Sequence, residues 1–317
     1  MLVLLSSASR FHSKPVLEVA MRSTPRLQSK TQNLVQELCR LEPKDIKKQL
    51  HVNDALAKQY SQHLSQFQAK QPVPCCCLYD QPLFNAAQLT SLDEDDAEWA
   101  NTHVRIFSGL YGCLRPYDEI QTLSLPVGLN TKLKNSKGAF LRDFWQEAID
   151  KEIEDVVQKL YAPIIVNMAA EEDQMLVDQE KLPAGTRIVK VDFKISRKDD
   201  ALEAKGELLR WMMQNRCMTV EDLLEFKGLE DEEEEEMTAY RLHKNQPNPD
   251  VLVFEEDRGE GGDGGWNKKF QEFGGSKQKF VKEFSTGKDK HRRGEIKKAL
   301  EKDERRQRKK GCDRGEG

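Results

Sequence analysis

The chain has 317 residues, 38% hydrophobic and 33% charged, with a formal net charge of −4. That length holds one large domain or two ordinary ones. The charge is split, with 19 Lys+Arg against 11 Asp+Glu over residues 258–317, so the tail carries +8 and residues 1–257 carry −12. An acidic body argues against a duplex-binding surface spread over the whole fold, because such domains carry a basic footprint.

In chain order, Met1-Leu-Val-Leu-Leu reads as a first strand, Leu2–Leu5, beginning at the initiator methionine. The apolar run is too short for a signal peptide or a membrane span. A Ser-, Pro- and Arg-rich loop runs to Ser29, and helical periodicity then covers Thr31 to Phe67. Pro43 suits a helix N-terminus, and Asn53-Asp54 opens a further helix. Pro72–Leu78, which contains Cys75-Cys76-Cys77, reads as a second, buried strand whose cysteines act as small hydrophobes. Asp80–Phe84 reads as irregular. Ser91-Leu92-Asp93-Glu94 has the spelling of a capping box and opens a helix that contains Trp99 and runs to about Thr102.

Downstream, Leu125–Leu133 alternates like a strand and Phe140–Leu160 carries a helical apolar face. Pro163–Met168 is a near-continuous apolar run, as in a strand covered on both faces. Arg187–Ile195 alternates as a strand, and Glu203–Asn215 is a helix with Leu208, Leu209, Met212 and Met213 inward. Thr219 caps a short helix, Asp231–Glu236 is an acidic run that reads as a solvated loop, and Tyr240–Phe254 closes with a hairpin. The expected fold is a single α/β domain over residues 1–257, with a mixed central sheet flanked by helices. Residues 258–317 form a basic tail of low order. The seven cysteines include no CxxC, which leaves neither a zinc ribbon nor a thioredoxin-type site and fits a reducing compartment.

The most unusual stretch is His103-Val-Arg-Ile-Phe-Ser-Gly-Leu-Tyr-Gly-Cys-Leu-Arg-Pro-Tyr-Asp118. Its glycines allow a close approach to the main chain, and its arginines offer forks for phosphate or carboxylate. A tight turn packed into the core is the competing reading.

The order and spelling of these landmarks resemble the YaaA family of bacterial peroxide-stress-response proteins. The matching pieces are Met1–Ser6, His103–Asp118, Val127-Gly128-Leu129, Phe144-Trp145, Ile165–Ala169, and Arg210 with Asn215. The resemblance covers residues 1–257 and leaves out the tail. It implies a mixed α/β domain with a positively charged cleft that binds DNA and limits iron-dependent oxidative damage, with no cofactor and no established reaction. This chain departs from the family pattern at four places. Ser6-Ser7-Ala8-Ser9 stands where the family has Ser-Pro-Ala-Lys, with Arg10 next door; Tyr79-Asp80 replaces Gly-Asp. Met168–Asp173 replaces Leu-Ala-Ser-Asp/Glu-Glu-Tyr, and Leu202-Glu203-Ala204-Lys205-Gly206 replaces Lys-Lys-Ala-Arg-Gly.

The candidate anion- or nucleic-acid-binding residues are therefore Arg10, His103, Arg105, Ser108, Gly109, Tyr111, Gly112, Arg115, Asp118, Asn167, Glu172 and Arg210; none is assigned as catalytic or as a metal ligand. Arg105 and Arg115 either meet phosphates or hold the loop through backbone carbonyls, and Asp118 pairs with one of them. His103, two residues before Arg105, would share a strand face with it. Tyr111 either stacks on a base or packs in the core. Asn167 and Glu172 follow a buried strand, where α/β sheets place ligand crevices. The basic cluster Arg305–Lys310 is a nucleic-acid or nuclear-import patch, or a solubilising appendage.

The resulting expectation is a monomeric, cytoplasmic, non-enzymatic DNA-binding stress protein, with a nuclear address also compatible with the tail. Two alternatives stand beside it. One is an enzyme acting on a nucleotide or nucleobase through His103, Asn167 and Glu172; the other is a scaffold that has lost the ancestral site and acts through its tail.

Overall fold

The fold is built outward from β1 (Leu2–Ser6), whose first four residues are wholly buried. The computed structural model describes residues 1–257 apart from residues 9, 51, 68–70, 122–139, 175 and 230–237, and the backbone alone of residue 50. The expected strand Leu125–Leu133, the Val127-Gly128-Leu129 match, the acidic run Asp231–Glu236 and the basic tail lie outside the described residues.

After β1 a long loop leads to three helices, α1 (Gln28–Cys39), α2 (Pro43–Leu50) and α3 (Asp54–Ser65). Pro43 begins α2, and the Asn53 side chain caps α3 by accepting from Leu56 N at 2.9 Å. The expected second strand is corrected to a two-residue β2 (Val73–Pro74) followed by a helical turn, α4 (Cys75–Leu78). The cysteines are buried as expected, but their amides turn inward. Cys75 N donates to Asp118 O at 3.0 Å, which extends the antiparallel register of β2 with Glu119–Ile120, but Cys76 N donates to Pro116 O at 3.0 Å, a bond outside that register. The stretch expected to be irregular holds α5 (Pro82–Ala87), with Pro82 in the first turn, where its missing N–H costs nothing.

Helix α6 (Glu94–His103) is capped by Asp93, which accepts from Asp96 N at 2.8 Å, and not by Ser91. Ser91 instead closes a short turn by donating to Gln88 O at 3.0 Å. The helix runs through His103, so that residue does not share a strand with Arg105. Next come β3 (Val104–Ser108), β4 (Gly112–Leu114) and β5 (Glu119–Ile120). The rest of the fold is α7 (Leu141–Val157), β6 (Ile164–Asn167), α8 (Glu171–Gln174), β7 (Arg187–Phe193), α9 (Lys198–Gln214), α10 (Val220–Leu223), β8 (Tyr240–Leu242) and β9 (Val251–Glu256). Thr219 and Asp222 form the expected reciprocal cap of α10.

Among the described residues, seven strands form one sheet in the order β4-β3-β1-β6-β7-β9-β8. The β3/β1, β1/β6, β6/β7 and β7/β9 pairs are parallel, and the edge strands β4 and β8 are antiparallel to their neighbours. Central position explains the unbroken apolar spelling of β1 and β6, since both faces are covered. From β1 the chain leaves for β3 on one flank, whereas β6 on the other flank leads to β7 and β9. The strand order therefore reverses between β1 and β6, which places the ligand crevice of such sheets beyond their carboxyl ends. No helix among the described residues is long and apolar enough to cross a membrane.

Helix α9 presses on α5 through Gly206, where an added Cβ would lie 2.2 Å from Leu83 O and 2.8 Å from Ala86 Cβ. Gly206→Ala is therefore expected to cost about 2–4 kcal/mol, because the obstruction is backbone and overpacking of this kind has no cheap relief. Chemical denaturation of the variant checks this; an unchanged midpoint would mean that the helices are not in close contact.

Candidate functional site at the carboxyl edge of the parallel strands

The His103–Asp118 stretch is bound up within the fold. His103 ends α6 with its ring stacked on Trp99 at 4.6 Å between centroids, and its Nδ1 lies 2.7 Å from Met1 O. A carbonyl only accepts, so Nδ1 carries the proton of a neutral ring. Burial pushes the His103 pKa down from about 6.5 to about 4, against the opposing pull of the Met1 carbonyl.

Arg105 is 2% exposed. Its Nε donates to Glu152 Oε1 at 2.9 Å, and its Nη1 donates to the carbonyls of Val104, Asn101 and Thr102 at 2.8, 3.2 and 3.3 Å. Arg26 adds a second cation to Glu152, at 3.0 Å from Oε1. The guanidinium is thus spent inside the protein.

Arg115 pairs with Asp118, as one of the two arginines was expected to. Its Nε and Nη2 donate to Oδ1 at 3.1 and 2.8 Å, its backbone N to Oδ2 at 2.9 Å, and Nη2 also to Thr24 O at 2.9 Å. Ser23 Oγ donates to the same carboxylate at 2.7 Å, and Asp118 is 1% exposed.

The loop between the two arginines faces the core. Ser108 Oγ accepts from Tyr111 N at 3.3 Å, Gly109 O accepts from Trp145 Nε1 at 2.9 Å, and the Tyr111 hydroxyl accepts from Gln121 N at 2.8 Å. Gly112 sits at φ +71°, and an added Cβ would lie 2.5 Å from the Trp145 ring. The glycine thus gives the Trp145 ring its space.

A different set of groups meets at the carboxyl edge. Strand register puts Leu4, Asn167 and Lys190 side by side on one face. Ser6 and Asp192, each two residues further on, point the same way. Ser6 Oγ donates to Asp173 Oδ2 at 2.5 Å and accepts from Ala170 N at 2.9 Å, which straps the β6–α8 loop over the end of β1. Burial raises the Asp173 pKa, partly offset by the Ser6 bond. Asn167, 4% exposed, turns the same loop by accepting from Ala169 N at 3.2 Å. Lys205 of α9 is 3.7 Å from Asp192 and its side chain is only 12% exposed. Burial and the neighbouring Lys190 lower its pKa, against the pull of Asp192.

Of the sequence-derived candidates, Asn167, Glu172 and Arg10 belong to this edge. Glu172 is exposed on α8, and Arg10 is exposed in the loop that leaves β1. Arg210 lies on α9, within 3.3 Å of Ser91 Oγ. His103 meets the opposite, amino end of β1, roughly 17 Å from Ser6 at about 3.3 Å per residue. His103, Asn167 and Glu172 therefore do not converge, and the constellation behind a nucleotide-processing enzyme is not assembled. Ser6, Asp173, Lys190, Asp192 and Lys205 were not singled out from the sequence. Ser6, Asp173 and Lys205 fell in stretches that depart from the family pattern, but nothing there pointed to their meeting, since 167 residues separate Ser6 from Asp173. Among the described residues, no group of three or more His, Cys, Asp or Glu side chains is placed to hold a metal ion.

The family described as "Peroxide stress protein YaaA" matches residues 1–236. The chain belongs to that family. A UPF0246 protein of Maricaulis maris is 31% identical over 236 residues, covering 71% of this chain and 88% of its own length. A UPF0246 protein of Caulobacter vibrioides is 30% identical over 237 residues, at 71% and 91% coverage. One of Crocosphaera subtropica is 28% identical over 236 residues, at 72% and 93%. The match takes in the sheet from β1 to β7 and the carboxyl edge, and within it the YaaA-type central stretch serves as internal scaffold.

Two outcomes follow. Arg105→Ala leaves Glu152 buried with Arg26 as its remaining cation, and is expected to cost about 3–5 kcal/mol in denaturant unfolding. A loss below 1 kcal/mol would show a solvated, dispensable pair. The depressed His103 pKa means that its contribution is complete above about pH 6.5 and is lost as pH falls toward about 4, because the unfolded chain takes the proton first. That loss is on the order of 3 kcal/mol, and His103→Asn should flatten stability against pH in this window.

Proposed function

We propose that this chain works in peroxide defence by binding DNA through the exposed cations of the carboxyl edge together with the basic tail, and so limits iron-dependent damage to the DNA it covers. Membership of a peroxide-stress family supports the physiological setting. The observation that carries the binding mode is the state of the two loop arginines, both neutralised by internal carboxylates. Cations offered to phosphate at this edge are then the exposed Arg10 and the exposed Lys194, which follows β7 and lies 2.9 Å from His243 Nε2, beside the half-buried Lys190; the tail adds a net +8 against −12 for residues 1–257. Phosphate contacts of this kind are non-specific and strongly dependent on salt. DNA affinity is the tail's main contribution in this reading, and the carboxyl edge fixes orientation.

Fluorescence anisotropy with a labelled duplex over a salt series tests this on the full chain. Replacing Arg305, Arg306, Arg308, Lys309 and Lys310 with Gln is expected to weaken binding at least tenfold at low salt. The salt slope should fall by about 0.9 for each phosphate that is no longer neutralised. Arg10→Gln should weaken binding by a smaller factor. A full chain that binds no duplex at low salt, or one indifferent to both changes, would overturn the proposal.

A further inference from the structure

The three consecutive cysteines of α4 do not share one environment. Cys75 is fully buried, and its thiol donates to the carbonyls of Arg115 at 3.2 Å and Pro116 at 3.1 Å, where it serves as packing. Cys76 and Cys77 are also buried, at 6% and 2% exposure, but they face each other with their sulfurs 3.9 Å apart, either able to donate to the other. Its hydrogen bond with Cys77, and then burial, push the Cys76 thiol up. The Cys77 thiol is drawn down by the hydrogen bond from Cys76 and the positive charge of Arg22, although burial opposes this. The two neighbouring sulfurs thus differ in acidity, with Cys77 the more acidic, the asymmetry that an attacking and a resolving sulfur require. The exposed Cys39 has no such thiol neighbour among the described residues; its Sγ donates to Leu64 O at 3.4 Å.

We propose that Cys76 and Cys77 form a peroxide-reactive dithiol in which Cys77 attacks and Cys76 resolves. The Cys77 thiolate forms an S–O bond as the O–O bond of hydrogen peroxide breaks, giving a sulfenic acid and a hydroxide that is protonated to water. The Cys76 sulfur then forms an S–S bond to Cys77 as the S–O bond breaks, and the departing hydroxide leaves as water with the Cys76 proton. Two thiols and one hydrogen peroxide thus become one disulfide and two waters. A disulfide needs about 2.05 Å between sulfurs, so closure has to move the backbone of α4. That turn hangs from the carbonyls of Pro116 and Asp118, and oxidation is therefore felt at the end of the His103–Asp118 stretch. This chemistry is independent of DNA binding.

The test treats the full chain with limiting hydrogen peroxide and follows each cysteine peptide by mass spectrometry, with and without a sulfenic-acid trap. The expected result is a Cys76–Cys77 peptide that loses two hydrogens at least tenfold faster than Cys39 is oxidised. Cys76→Ser should let the trap capture Cys77, and Cys77→Ser should abolish both products. If Cys39 or Cys312 oxidises first while the Cys76–Cys77 peptide stays reduced, the dithiol is inert packing and the proposal fails. A disulfide from Cys77 to any other cysteine overturns the resolving role of Cys76. Both readouts on the unmodified chain hold even if a serine variant fails to fold.

Discussion

The buried guanidinium of Arg105 is the constraint to which the centre of this fold answers. A charge at 2% exposure is tolerable only with its carboxylate partner and its remaining donors satisfied. Glu152 supplies the first requirement, and the carbonyls where α6 passes into β3 supply the second. The pair therefore fixes α7 against β3. Trp145, two turns earlier on α7, is then positioned to bond Gly109 O and to occupy the space that Gly112 leaves open. Asp118 closes the far end of the stretch by gathering Arg115 and Ser23, and its carbonyl holds the first amide of α4. A segment whose residue types suggest an external anion site is thus a set of internal bonds joining α6, β3, β4, α7 and α4.

Much of the fold was legible because the strongest signals are periodic and local. The apolar run Pro163–Met168 and the alternation from Arg187 emerged as β6 and β7, and Thr219 capped α10 as its spelling indicated. The failures share a physical cause, which is competition settled by distant partners. Cys75–Leu78 is too short an apolar run to separate strand from helix by period. The carbonyl of Pro116, some forty residues away, decides it by taking the Cys76 amide out of the strand register. Ser91 and Asp93 are both able to cap, and the left-handed Gln88 (φ 46°) consigns Ser91 to the preceding turn.

The site was less legible than the fold, because residue type does not say whether a charge points inward. For Arg105 a signal did exist. Glu152 falls on the apolar stripe Ile149, Ile153, Val156 of α7, where a carboxylate demands a buried cation. The carboxyl-edge groups had no comparable mark, since Ser6, Asp173 and Lys205 become neighbours of their partners only through strand order. Lys205 is held beside Asp192 at 3.7 Å with its side chain mostly buried.

The central proposal is that His103–Asp118 is scaffold and that DNA is met at the carboxyl edge of the parallel strands and by the tail. Hydrogen–deuterium exchange of the full chain with and without duplex DNA at low salt tests it most directly. Added protection is expected in the peptides holding Ser7–Lys14, Lys190–Lys198 and the tail, with Val104–Asp118 unchanged. New protection centred on Val104–Asp118, with the carboxyl-edge peptides unaltered, would contradict the account.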